Sequence, residues 1–153
     1  LTELWFYHLE GARPETVLPD LLRKTLEKGW RAVVRAPDAA AAERIDAALW
    51  TVDEEGFLPH GRAGADDDVA ARQPVWITSG GDAPNGADLL IAIDGAPLTS
   101  GEVADYRRAA VLFDAGDAAV REAARALWKA AKEGGASVAY WTRGAGGGWS
   151  RNG

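Results

Sequence analysis

The sequence contains no cysteine and no methionine, and its 153 residues include only two histidines, His8 and His60. Without cysteine there are no disulfides, no thiolate metal ligands and no thiol nucleophile, and the composition suits a reducing cytoplasm. The lack of methionine implies that an initiator has been removed or left out. Two histidines leave little of the residue most used for acid–base and metal chemistry. No apolar run approaches the roughly 18 residues needed to cross a bilayer, and no basic-then-apolar leader is expected. Excess positive charge is lacking too. Seventeen Lys and Arg against 23 Asp and Glu give a net charge of −6. That argues against the whole surface being a nucleic-acid footprint, while leaving room for a local basic patch.

What is present is ordinary globular composition, 47% apolar and 26% charged, in a length that suits one domain. Seven tryptophans are many for this size, and indole serves both as core and as interface anchor. Leu4–Leu9 reads as a first strand. Glu15–Lys28 follows as a helix, with Pro19 in its first turn and Gly29 ending it. Trp30–Arg35 is a second strand, and Asp38 caps an alanine-rich helix running to about Leu49. Residues 50–72 read as irregular and include the acidic run Asp66-Asp67-Asp68. Strands follow at Pro74–Ser79, Leu89–Ile93 and Ala109–Phe113; then a helix from Asp117 to about Glu133 and a last strand at Ser137–Thr142. Alternating strands and helices with apolar strands predict a single α/β domain, Rossmann-like, with a mostly parallel sheet and helices on its faces. That domain is expected over residues 1–143, with 144–153 as a flexible glycine-rich tail.

A doubly wound layout raises the alternative of a nucleotide-binding or nucleotide-using enzyme. The residues give it little. The turn after the first strand, Glu10-Gly11-Ala12-Arg13-Pro14, has one glycine where a dinucleotide fingerprint needs three, and no G-x-x-x-x-G-K-[ST] loop occurs. Asp53-Glu54-Glu55 and Asp66-Asp67-Asp68 read as solvated loops, since consecutive acids point in different directions. There is no G-x-S-x-G elbow. The expectation is no catalytic residue, no metal and no cofactor.

Two features point to partners. Trp50, at the end of a helix, is followed by Phe57, Pro59 and His60; this is either a rigid aromatic hot-spot patch or a plug for the core beneath the loop. In the last helix, Val120, Ala123, Ala124, Leu127 and Ala131 share one face at roughly 100° per residue. Arg121, Arg125, Trp128, Lys129 and Lys132 form an adjacent stripe. Like charges at i, i+4 repel by a few tenths of a kcal/mol. The stripe therefore suits contact with an anion, or else is a solvated face relieved by Glu122 and Glu133.

The stretch Glu43-Arg44-Ile45-Asp46-Ala47-Ala48-Leu49-Trp50-Thr51, followed by Phe57-Leu58-Pro59-His60, resembles the signature of the chi subunit of bacterial DNA polymerase III, and the order of elements is similar over nearly the whole chain. The resemblance implies a clamp-loader accessory protein without an active site of its own. It implies a grip on the acidic C-terminal tail of single-stranded-DNA-binding protein, which ends in an aliphatic–phenylalanine carboxylate, through Arg121, Arg125, Trp128, Lys129 and Lys132. It also implies a second surface, Trp50, Phe57, Pro59 and His60, for the psi subunit or a helicase. No membrane contact and no direct specific nucleic-acid contact are expected. The acidic 61–72 loop and the glycine-rich C-terminal stretch have no place in that resemblance.

Overall fold

The structure is a computed structural model and describes residues 2–51, 58–114, 116–143 and 149–151. Strands β1 (Glu3–His8), β2 (Ala32–Arg35), β3 (Gly61–Arg62), β4 (Val75–Thr78), β5 (Leu89–Ala92), β6 (Arg108–Phe113), β7 (Ser137–Arg143) and β8 (Trp149–Arg151) form one sheet in the order β3-β4-β2-β5-β6-β1-β7-β8. All pairs are parallel except β7 with β8. Helices α1 (Pro14–Glu27) and α2 (Ala39–Thr51) cover one face. A short α3 (Ser100–Val103) and the long α4 (Ala118–Glu133) cover the other. This is the α/β architecture expected from the strand–helix alternation.

Each face has its own core. Val17, Leu18 and Leu22 of α1 and Ala42, Ile45 and Leu49 of α2 pack against Val34, Ile77, Ile91 and Leu112. On the opposite side Leu4, Phe6, Val33, Trp76, Leu90 and Phe113 meet Val103, Ala124 and Ala131. The central strands β2, β4 and β5 are buried at every residue, which is why they read as continuous apolar runs rather than alternations. Among the described residues no helix is long and apolar enough to cross a membrane.

Two local expectations are corrected. Helix α1 starts at Pro14, so Pro14 takes the first-turn position and Pro19 lies inside the helix, buried. Pro14 gives up an N–H that has no helical partner anyway, whereas Pro19 removes a ladder bond. The segment 50–72 is not wholly irregular. Helix α2 runs through Trp50 to Thr51, β3 adds an edge strand, and a 3-10 turn spans Asp67–Arg72. The acidic run builds this turn: Asp66 accepts from the Arg62 N–H (3.0 Å) and Asp67 from the Gly64 N–H (3.0 Å). Helix α3 begins at a capping box, Thr99 with Glu102, which the sequence reading passed over. Within the described residues after β7, β8 carries Trp149, which packs edge-on to Tyr7 at 5.0 Å.

A polar network ties the loops at the carboxyl ends of β2 and β4. The buried Arg35 reaches Glu102 at 3.0 Å, while Asp82 accepts from Trp76 Nε1 (2.8 Å) and Thr78 Oγ1 (2.6 Å). The Thr99 backbone N–H holds the Glu102 carboxyl below its ordinary range, with Arg35 adding to this. For Asp82, burial opposes ionisation, but the Thr78 and Trp76 hydrogen bonds and the Arg35 charge outweigh it. Groups whose folded pKa is depressed contribute stability above their unfolded values, and that stability is lost as pH falls through the folded ones. Urea unfolding as a function of pH is therefore expected to show stability falling below the ordinary carboxylate range, with a shallower fall in Asp82→Asn.

Candidate functional site

Helix α4 is set by its ends. The Asp117 side chain accepts from the Ala119 and Val120 N–H groups at 3.0 and 3.3 Å, and Gly134 caps the C-terminus ahead of Gly135 at φ 88°. Its contact with the sheet is thin. Only Ala124 and Ala131 of the helix are buried, while Val120 and Leu127 are half-buried and Ala123, expected on the same face, is exposed.

Beside this seam lies a cavity of about 500 Å³, walled by Phe6, Phe113 and Tyr140 from the strands and by Arg121, Ala124, Arg125 and Trp128 from α4. Phe113 stands edge-on to Phe6 (6.3 Å) and close to edge-on to Tyr140 (6.0 Å), so the slot is aromatic on several sides. Burial, and then the Glu10 charge, raise the Tyr140 phenol above its ordinary value, so it remains a neutral donor. Arg125 is exposed and makes no ion pair among the described residues. Trp128, 39% exposed, carries Lys132 Nζ over its ring at 4.6 Å. Three of the five predicted stripe residues, Arg121, Arg125 and Trp128, thus line the slot; Lys132 joins it through Trp128, and Lys129 is exposed outside its lining. The strand rings Phe6, Phe113 and Tyr140 were missed. Period-two alternation through Leu4, Phe6 and His8 carried the signal for the first of them.

The second predicted surface begins at Trp50, which is 57% exposed. Its ring lies 4.7 Å from that of His60, which is only 6% exposed. The His60 Nδ1 sits 2.7 Å from the Leu58 carbonyl, and Nε2 lies 2.9 Å from Asp46 Oδ1 without the alignment of a good hydrogen bond. Asp46 is in turn bonded by Arg62 Nε at 3.2 Å. Gly61 follows because there is no room for a side chain: a Cβ there would stand 2.8 Å from Gln73 Cγ and 3.2 Å from the Trp76 ring. Trp50 is therefore displayed, with His60 as its buried support. Pro59 is half-buried beside them, and Phe57 lies outside the described residues. The supporting pair Asp46 and Arg62 had not been singled out.

A doubly wound sheet places ligands where neighbouring strands send their helices to opposite faces. Here that point lies between β1, which leads to α1, and β6, which leads to α4. The crevice there, about 400 Å³, is lined by Asp94, Asp114 and Asp117 against the single cation Arg13. The α4 N–H groups that would receive a phosphate are taken by Asp117, and Asp94 is paired with Arg44. Carboxylates there repel a nucleotide phosphate, which disfavours the nucleotide alternative.

The family model for "DNA polymerase III chi subunit, HolC" matches residues 1–139. The chain belongs to the DNA polymerase III chi subunit family. The DNA polymerase III subunit chi of Pseudomonas aeruginosa is 33% identical over 130 residues, covering 82% of this chain and 85% of its own length. A probable subunit chi of Rickettsia prowazekii is 32% identical over 87 residues, 57% of this chain; the match spans 52%, about half, of that relative. Among solved structures, the C-terminal domain of the DEAD-box protein Dbp5 superimposes with a TM-score of 0.59 over 93% of this chain and 90% of that one, at 14% identity, which speaks for the fold alone. The match takes in Trp50, Pro59 and His60 and the lining of the slot apart from Tyr140, and it ends inside β7, before β8.

The display-and-support arrangement at Trp50 has a measurable consequence. Asp46→Ala removes the acceptor of the Arg62 Nε hydrogen bond and the carboxylate facing His60 Nε2, and is expected to cost about 1–3 kcal/mol. Trp50→Ala removes a mostly exposed ring and should change stability by less than about 1 kcal/mol. Chemical denaturation of the two variants distinguishes support from display.

Proposed function

We propose that this chi-family chain is a non-catalytic adaptor in the cytoplasm that links the polymerase III clamp loader to single-stranded-DNA-binding protein by holding that protein's acidic C-terminal tail. The observation that carries this reading is the slot beside α4, an aromatic hollow with arginines on its wall. A terminal phenylalanine ring fits between Phe6, Phe113 and Tyr140, where burying it is worth about 1.5–3 kcal/mol. Its carboxylate is held by Arg125 and Arg121 through charge-assisted hydrogen bonds, Trp128 covers the flank, and Lys129 and Lys132 draw in the aspartates further up the tail. Trp50, Pro59 and His60, with Phe57, form a separate surface for a psi subunit or a helicase. The exposed indole on a rigid helix end is the anchor of that surface.

The test is calorimetric titration of the full chain with a short acidic peptide ending in phenylalanine, in its free-acid and C-terminally amidated forms. Arg125→Ala is expected to weaken binding of the free acid by about 1–3 kcal/mol. The amidated peptide should bind worse than the acid, and raised salt should weaken both. No binding heat with the wild-type chain, or equal affinity in Arg125→Ala, contradicts the reading.

A further inference from the structure

Strand β1 turns alternate residues, Leu4, Phe6 and His8, toward the α4 face of the sheet. Leu4 and Phe6 belong to the core there. The third position of this apolar row is an imidazole, and it is not sealed in: the His8 side chain is 20% exposed. It lies in direct register with Phe113 of β6 and stacks on that ring at 5.5 Å, with 27° between the planes. Phe113 is a wall of the slot beside α4, so His8 backs directly onto that wall.

Just past His8 the chain folds back on itself. The Ala12 N–H donates to the Leu9 carbonyl at 3.0 Å, and the two residues between them, Glu10 and Gly11, take left-handed φ values of 52° and 87°. Glycine adopts such a φ freely, whereas glutamate does so at a cost. The turn brings the Glu10 carboxylate to 3.7 Å from His8 Nδ1. Its charge also reaches the Tyr140 phenol on the slot wall, where it adds to burial in favouring the neutral form. Among the described residues the slot's own lining carries no carboxylate, so Glu10 brings a negative charge to a site built for an anion. The other charged groups around this corner are Arg121 and Arg125 across the slot on α4, and Asp114 and Asp117 in the crevice beyond Phe113.

We propose, on the tail reading given above, that His8 and Glu10 set the charge at the strand wall of the slot, so that an acidic tail binds together with a proton on His8. Histidine is the side chain whose ordinary range lets it change charge between about pH 5 and 8. With His8 neutral, the Glu10 carboxylate repels the aspartates and terminal carboxylate of the tail. An imidazolium cancels that charge and adds a cation behind Phe113. A ligand that prefers the protonated form draws a proton with it. Affinity is therefore highest below the histidine range and falls as pH rises through it. Arginine keeps its charge throughout and the Tyr140 phenol stays neutral, so neither adds a step of its own.

The experiment is calorimetric titration of the full chain with an N-acetylated acidic peptide ending in phenylalanine, whose own groups keep their charge in this range. It is run at about pH 6 and about pH 8, and near neutrality in two buffers of different ionisation enthalpy. Affinity about threefold to tenfold higher at the lower pH is expected. The heat near neutrality should differ between the buffers, because a proton is taken up on binding. His8→Gln should match the wild-type affinity at the higher pH and lose the dependence on pH and buffer. Glu10→Gln should bind more tightly than the wild type at the higher pH. Both residues are at least partly exposed, and the buffer comparison on the wild-type chain needs no variant at all. Wild-type binding that varies with neither pH nor buffer overturns the proposal and leaves the tail reading standing. A pH dependence that survives in His8→Gln does the same. Absence of binding at both pH values removes the tail reading and this proposal together.

Discussion

The seating of α4 on the sheet is the constraint from which the candidate site follows. A helix that packs through leucines or isoleucines fills the space on either side of its seam. Helix α4 packs through Ala124 and Ala131, and alanine brings the backbone close without filling the flanks. Hollows remain on both flanks, one of about 390 Å³ against Leu98, Val111 and Leu112, and one of about 500 Å³ between α4 and the rings of Phe6, Phe113 and Tyr140. The helix still holds its place because its ends are fixed, by the Asp117 cap at the start and by Gly134 and Gly135 at the finish. Thin contact and firm ends together produce a preformed slot rather than one that a ligand must open, which lowers the ordering cost of binding.

Charge is distributed to match. Carboxylates gather at the carboxyl ends of the central strands, where Asp94, Asp114 and Asp117 line the crevice that other doubly wound proteins use for ligands. Cations gather along α4 instead. The acidic crevice and the cationic helix thus place opposite charge a short distance apart on one fold. His60 shows the same economy on the α2 side: it is buried, and its two nitrogens face the Leu58 carbonyl and Asp46, so its work is to hold Trp50 outward.

Much of the fold was legible in the sequence. The continuous apolar runs at Val33–Val34, Val75–Ile77 and Leu89–Ile93 announce strands covered on both faces, and Asp117 with Gly134-Gly135 marks the limits of α4. The cationic stripe followed from helical periodicity alone, because positions on one helix are related by a fixed rotation. The wall opposite did not follow, since Phe6, Phe113 and Tyr140 come from three strands brought together only by the sheet order, with β1 between β6 and β7. The short elements were missed for a related reason. Helix α3 has four residues, and β3 and β8 have two and three, too few to show a period. The capping box at Thr99 and Glu102 was the one local sign among them.

The most direct test of the central claim is to follow the backbone amide resonances of the full chain by NMR while adding an acidic peptide that ends in phenylalanine. The slot beside α4 predicts that the largest shifts fall on residues from three strands and one helix together: Phe6, Phe113, Tyr140, and Arg121 to Trp128. Shifts confined to the crevice at Asp94, Asp114 and Asp117, or to the Trp50 surface, would contradict it.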